Sequence, residues 1–196
     1  LGLAWREAVR ALGAPAVIGE FLLAVSGLLW CVLAVLHLIR IRRAPQAVIA
    51  DLRHPIRVAF TGAIGIGLVI MSVWLAPYAL DLARLLWLVA AAVQMAARVG
   101  ILPLLIQVPR DAAATRPPPP IPLVGSLVAS VPGASLGFAN LSWMLFGIGL
   151  ILWFALLPLL VGRLAQGPEL PLKLRPTLAI FLAPPAVASL AMVQLT

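Results

Sequence analysis

Apolar residues run along this chain in long, almost uncharged stretches with polar segments between them. Six of the stretches are close to the roughly 20 residues that a helix needs to cross a bilayer. A short apolar segment, 1–5, precedes them, and the six cover residues 16–38, 58–78, 82–102, 121–138, 141–162 and 177–195. None alternates strictly between polar and apolar positions, so the pattern predicts helices rather than the strands of a barrel.

The order of these stretches predicts one transmembrane domain over residues 1–196, which we expect to be part of a longer protein. Segment 1–5 is interpreted as the remnant of a first span, and the six full stretches are the second to seventh spans. Short links follow the third and fifth spans and longer, turn-rich links follow the even-numbered ones. The predicted fold is an all-α integral membrane protein built from helical hairpins.

Composition supports lipid as the main solvent for the side chains. Hydrophobic residues make up 63% of the chain and charged residues 10%, which is more apolar surface than a soluble domain of 196 residues can bury. The formal net charge of +8 raises the possibility of a nucleic-acid partner. The arginines lie between apolar stretches, without a basic face that carries interleaved aromatics, so we expect no nucleic acid to bind.

Positive charge is distributed unevenly between the links. The links after even-numbered spans, with the residue just before one of them, hold Arg40, Arg42, Arg43, Arg53, Arg57, Arg98, Arg110, Arg116, Arg163, Lys173 and Arg175. The opposite side holds Arg6, Arg10 and Arg84. Because arginine and lysine are retained on the cytoplasmic side during insertion, the bias predicts a multi-pass protein of the cytoplasmic membrane with the even-numbered links inside.

Signals for catalysis and for metal binding are missing from the sequence. It contains one cysteine, Cys31, and two histidines, with no His-Glu-x-x-His, no phosphate-binding loop and no Gly-x-Ser-x-Gly. The motif Gly62-Ala-Ile-Gly65-Ile-Gly67 falls inside an apolar span without a preceding strand, so it is not a dinucleotide loop. We expect no enzyme activity, no metal and no cofactor.

Small residues are enriched in the third, fifth and seventh spans, which makes these the better candidates for an inner layer of helices. Pro132–Gly133 and Pro184–Pro185 are placed near the middle of their spans, where proline either lines a cavity or only shapes the packing. Hydroxyl side chains on the same spans either bind an anion as neutral donors or bond to their own helix. The predicted anion path consists of Phe60, Thr61, Gly65, Ser130, Pro132, Pro184, Pro185 and Ser189.

Four charged residues inside or next to the spans bear on function, and two of them, Glu20 and Arg98, have more than one interpretation. Glu20 is a candidate functional carboxylate, although its place near a membrane interface favours a paired or solvated group. Arg98 is expected to extend to the cytoplasmic surface, with substrate binding as the alternative. Asp81 and Arg84 are expected to form a weak surface pair.

Three motifs resemble the tellurite-resistance/dicarboxylate transporter family, which includes the bacterial TehA proteins and the plant slow-type anion channels. Residues 53–60, Arg-His-Pro-Ile-Arg-Val-Ala-Phe, resemble the start of that family's third helix. Leu174-Arg-Pro-Thr177 with Phe181-Leu-Ala-Pro-Pro-Ala186 is similar to its seventh, and Phe146-Gly-Ile-Gly149 with Trp153 is similar to its sixth.

The resemblance implies ten helices arranged as five hairpins, with the odd-numbered helices around a central pore. It also implies a homo-oligomer, commonly a trimer, that passes anions. The predicted function is therefore an anion channel or transporter for tellurite-like oxyanions, dicarboxylates or small inorganic anions. The alternatives are one half of a two-half secondary transporter, for which the loop signature is missing after the second span, and a membrane-embedded enzyme or assembly protein.

Overall fold

A computed structural model of the chain describes residues 1–53, 61–106, 120–166 and 182–196, and these residues are mainly helical with no strand among them. The described helices are α1 (Gly2–Leu12), α2 (Ala16–Arg43), α3 (Pro45–Arg53), α4 (Thr61–Leu75), α5 (Leu80–Ile106), α6 (Pro120–Gly133), α7 (Ala139–Gln166) and α8 (Ala183–Leu195). The predicted all-α membrane fold class is confirmed by this architecture.

Three of the described helices are long and apolar enough to cross a membrane, over Ala16–Arg43, Leu80–Gly100 and Ala139–Pro158. Shorter apolar helices cover Gly62–Leu75 and Ala183–Leu195. In α2 most of the large apolar side chains are exposed, among them Phe21, Leu28 and Leu36. An exposed apolar surface of this extent is suited to contact with lipid.

Two helical hairpins, α4–α5 and α6–α7, form the centre of the described structure. The first closes through a turn at residues 76–79, where the Tyr78 amide donates to the Leu75 carbonyl over 2.9 Å. The second closes where the Phe138 amide donates to the Gly133 carbonyl over 2.8 Å. Arg84 Nε at the start of α5 donates to the Leu136 carbonyl over 3.0 Å, so both turns lie at the same end of the bundle.

Helix α6 lies at the middle of the packing and contacts α4, α5, α7 and α8. Leu127 and Ala129 of α6 are fully buried, as is Trp87 of α5. The Trp87 ring stacks on Phe138 with a centroid distance of 5.1 Å, and its Nε1 donates to the Ala129 carbonyl over 2.9 Å. This indole bond joins α5 to α6 one residue beyond Val128, whose carbonyl has no donor from residue 132 because that residue is proline.

Several elements differ from the sequence prediction. Helix α1 extends well beyond segment 1–5, and the link after α2 contains the additional helix α3. The sequence predicts Pro132 near the middle of a span, but α6 ends at Gly133, so the proline lies in its last turn. In α8 the prolines Pro184 and Pro185 lie in the first turn, where proline is tolerated because its missing N–H has no intrahelical acceptor.

Candidate functional site

One face of α5 carries large polar and aromatic side chains into the helix packing. Trp87, Gln94 and Arg98 are separated by seven and four residues, a spacing that places all three on the same side of a helix. Trp87 and Gln94 are fully buried, and Arg98 is 5% exposed. This face therefore brings an amide and a guanidinium into an interior that is otherwise mainly apolar.

The Gln94 side chain lies between two glycines, one on α4 and one on α6. A Cβ atom built on Gly65 would lie 2.8 Å from Gln94 Cγ, and one on Gly125 would lie 2.7 Å from both amide heteroatoms. Gln94 Nε2 donates to the Gly62 carbonyl over 3.2 Å, while Oε1 is buried without a partner. The glycines are needed here because any side chain would displace the amide from between the two helices.

Arg98 lies one helical turn further along the same face, in the half of α5 that is opposite the two tight turns. Its Nη1 lies 3.4 Å from Met95 Sδ, a weak acceptor. Its Nε and Nη2 atoms are buried and have no hydrogen-bond partner. The expectation that Arg98 extends to the membrane surface is wrong, because its position on the packed face of α5 directs the side chain inward.

No described carboxylate compensates the charge of Arg98. The four acidic residues in the described ranges each lie against a different arginine, in the pairs Glu7–Arg10, Glu20–Arg6, Asp51–Arg40 and Asp81–Arg84. The other two acidic residues of the chain, Asp111 and Glu169, are outside the described residues. Among the described residues Arg98 is thus a buried cation without a counter-ion, an arrangement that proteins avoid unless it has a use.

A second polar cluster, which we call the Glu20 network, joins α1, α2 and the last turn of α4. Glu20 accepts hydrogen bonds from Arg6 over 2.7 and 3.0 Å, from Trp74 Nε1 over 3.2 Å and from Tyr78 over 2.9 Å. Arg6 also donates to the carbonyls of Val73 and Trp74 over 3.3 and 3.2 Å. The expectation of a paired carboxylate at Glu20 is confirmed, and the pair of Asp81 with Arg84 is confirmed at 3.4 Å.

Hydroxyl groups on α6 behave in two ways. Ser130 donates to the Leu127 carbonyl over 2.8 Å. Of the two predicted roles for these hydroxyls, Ser130 therefore shows the bond to its own helix. Ser126 Oγ is buried without a partner at the contact with α7, where a Cβ on Gly149 would lie 2.5 Å from it. Only Ser126 of these two therefore retains an unused hydroxyl.

The residues predicted to form an anion path differ in how far they are buried, and whether they line one path stays a prediction. Gly65, Ser130, Pro132 and Pro184 are buried, and Pro185 and Ser189 are exposed. Phe60 and the side chain of Thr61 lie outside what the structure describes, so their role stays a prediction.

The sequence predicts a cytoplasmic basic cluster after the second span, and the structure describes it only in part. Its members are Arg40, Arg42, Arg43, Arg53 and Arg57. Arg40, Arg42 and Arg43 are exposed in the last turn of α2, where positive charge is favourable at the carboxyl end of a helix. Arg53 ends α3, and Arg57 lies outside the described residues.

Sequence reasoning missed Gln94 and the inward direction of Arg98. The spacing of four between two polar residues in an apolar helix was the available signal, because it puts both on one face. A metal is a poor match for this site, since within the described ranges no three histidine, cysteine or acidic side chains lie together. A guanidinium with free N–H groups is instead suited to an anion.

The comparisons with known proteins agree on one family. The family model for SLAC1, described as a voltage-dependent anion channel, matches residues 1–196. The S-type anion channel SLAH3 of Arabidopsis thaliana is 27% identical over 197 residues, covering 99% of this chain and 31% of that protein. The S-type anion channel SLAH2 of the same plant is 29% identical, covering 99% of this chain and 38% of that protein. The chain spans about a third of the length of these relatives.

Proposed function

This chain belongs to the SLAC1 family of voltage-dependent anion channels, and from that premise we propose that it moves small anions across a membrane. The observation that carries the proposal is the family match over residues 1–196 in a chain whose long helices are apolar. Relatives named as anion channels align with 99% of the chain, so the similarity is not confined to one motif.

The proposed substrates are tellurite-like oxyanions, dicarboxylates or small inorganic anions. An anion that leaves water needs donors to replace its hydration, and weak neutral donors allow it to leave again. The buried Ser126 hydroxyl of α6 is a neutral donor without a partner, and Arg98 of α5 adds charged donors that are also away from bulk solvent.

The proposed location is the cytoplasmic membrane, with the links after even-numbered spans inside. The exposed arginines at the end of α2 support this orientation, because basic residues near the end of a span favour the cytoplasmic side. Replacing Cys31 with serine and then placing one cysteine at Arg42→Cys or at Arg10→Cys tests it. A membrane-impermeant thiol reagent applied to intact cells should label the second and spare the first, and the reverse result contradicts the orientation.

A homo-oligomer, a trimer by family resemblance, is proposed as the assembly. The anion path is proposed to include Pro185 and Ser189, whose exposure leaves them free to face a neighbouring helix or an aqueous path. Gly65, Ser130, Pro132 and Pro184 are proposed to shape the helices behind that path, because they are buried.

The direct test is anion flux into liposomes that contain the protein carrying this chain. We expect uptake of chloride, nitrate or tellurite down a gradient, with protein-free liposomes as the control. A pH gradient applied with the membrane potential clamped by valinomycin and potassium separates the two modes of transport, because it drives a proton-coupled transporter and does not drive a channel. Absence of flux for each of these anions under every gradient tested excludes the proposal.

A further inference from the structure

The unpartnered atoms of Arg98 lie on one edge of its guanidinium group. In the planar fork, Nε–H and one N–H of Nη2 point in the same direction, and these two nitrogens are the ones without a partner. The weak contact to Met95 Sδ uses the other terminal nitrogen, Nη1. The group is therefore held with its side edge free.

A free side edge matches a particular ligand shape. Two parallel N–H donors bind two oxygens of one carboxylate or oxyanion, and this bidentate bond is stronger and more directional than a contact with a point charge. Chloride is a single acceptor atom, so it can accept from this edge but cannot pair each donor with its own oxygen. The edge therefore distinguishes anions by their geometry as well as by their charge.

The surroundings of Arg98 add to the case for a ligand. The four described carboxylates are paired with other arginines, so the charge has no described internal counter-ion. Gln94, one turn away, is fully buried and held between Gly65 and Gly125. These contacts fix the face from which Arg98 extends, and a fixed donor set loses less freedom when it binds.

We infer that Arg98 forms a bidentate binding site for a small carboxylate or oxyanion, with Gln94 as a positioning residue on the same face of α5. The inference rests on the proposed function and specifies where, and by which geometry, the anion is held. Arg98 lies in the half of α5 opposite the tight turns, about two helical turns before Ile106, so the site lies toward the proposed cytoplasmic side.

Thermal unfolding of the purified protein in detergent tests the site without requiring transport. Sodium formate and sodium nitrate are compared with sodium chloride at equal ionic strength, because a ligand that binds the folded state raises the midpoint. We expect formate and nitrate to raise the midpoint more than chloride does. Arg98→Lys keeps the charge but loses the paired donors, and it should raise the half-saturating formate concentration roughly tenfold.

Two control variants separate a site from a general charge effect. Arg10→Lys alters an exposed arginine in a surface pair and should leave the formate response unchanged. Gln94→Met should weaken the response less than Arg98→Lys does, and without abolishing it. An unchanged response in Arg98→Lys, or equal stabilisation by chloride and formate, overturns the inference.

Two other kinds of partner for Arg98, a carboxylate of this chain or a lipid phosphate, would give different results in the same assay. If Asp111 or Glu169 compensates Arg98, then Asp111→Asn or Glu169→Gln creates or enlarges the formate response, and the site is internal. If a lipid phosphate is the partner, anionic phospholipid shifts the midpoint in lipid-depleted protein and formate does not. Either result overturns the inference, whereas loss of flux with an intact formate response counts only against the proposed function.

Discussion

The Glu20 network and the Arg98 face are both polar clusters in an apolar chain, yet they are completed to different degrees. Glu20 accepts from Arg6, Trp74 and Tyr78, so its charge is compensated and its acceptors are used. Arg98 is more deeply buried, with two donor atoms unused and no described carboxylate beside it. A completed network fixes helices to one another, and an incomplete one retains the capacity to bind something else.

The largest effect should follow from removing the charge at Glu20. Glu20→Gln leaves Arg6 without its counter-ion, and the pair is partly buried, with side-chain exposures of 18% and 34%. The expected loss lies between those of surface and buried pairs, at about 2 to 3 kcal/mol. Denaturant unfolding in detergent measures it, with Glu7→Gln as a control that should change stability by less than about 0.5 kcal/mol. Equal losses of stability in Glu20→Gln and Glu7→Gln would show that the Glu20 network stabilises the protein no more than an exposed surface pair does.

The second-largest change in stability should come from crowding the Gln94 side chain. Gly125→Ala places a methyl group against the Gln94 amide, 2.7 Å from its heteroatoms, and should cost about 2 kcal/mol. Shortening the partner in the double variant Gly125→Ala/Gln94→Ala should recover part of that cost, because the two changes share one contact. Strictly additive losses would contradict the close contact between the glycine and the amide.

Removal of Arg98 should act in the opposite direction from the change at Glu20. Arg98→Met replaces an uncompensated buried cation with an apolar side chain of similar length, so the protein should be unchanged or more stable by about 1 kcal/mol. The same unfolding assay in anion-poor buffer measures it. A loss of several kcal/mol would show that Arg98 has an internal partner and that the contrast between the clusters is false.

The smallest effect is expected at the exposed edge of the Glu20 network. Tyr78→Phe removes one donor to Glu20 over 2.9 Å, and the ring is 66% exposed. Water can replace the lost donor at such a site, so the cost should be about 0.5 kcal/mol. Trp74→Phe removes the donor nearer the helices, and it should cost more in the same assay.

The sequence predicts the helical membrane class because long apolar stretches are a local property of the chain. It also indicates that Glu20 is paired or solvated, since a place near a membrane interface favours both, and the structure shows the paired arrangement. It does not identify Arg6, Trp74 and Tyr78 together as the donors, because α1 and α4 meet only through tertiary packing. Residues far apart in sequence reach Glu20 only once the helices are docked.

The candidate site was harder to predict for the same physical reason. Distance from the end of a span suggested an outward Arg98, but the side of α5 on which a residue lies decides its direction. Gln94 carries no charge and matches no motif, so its significance depends on Gly65 and Gly125 of two other helices. Pro132 was misplaced because the turn after α6 begins earlier than the apolar stretch ends.

The position of α6 has a consequence for how the protein is made. Its partners α4 and α5 are synthesised before it, and α7 and α8 are synthesised after it. When α6 is made, α4 and α5 are the described partners already in place to cover it. The surface that packs on α7 and α8 stays without those two partners until translation has delivered them.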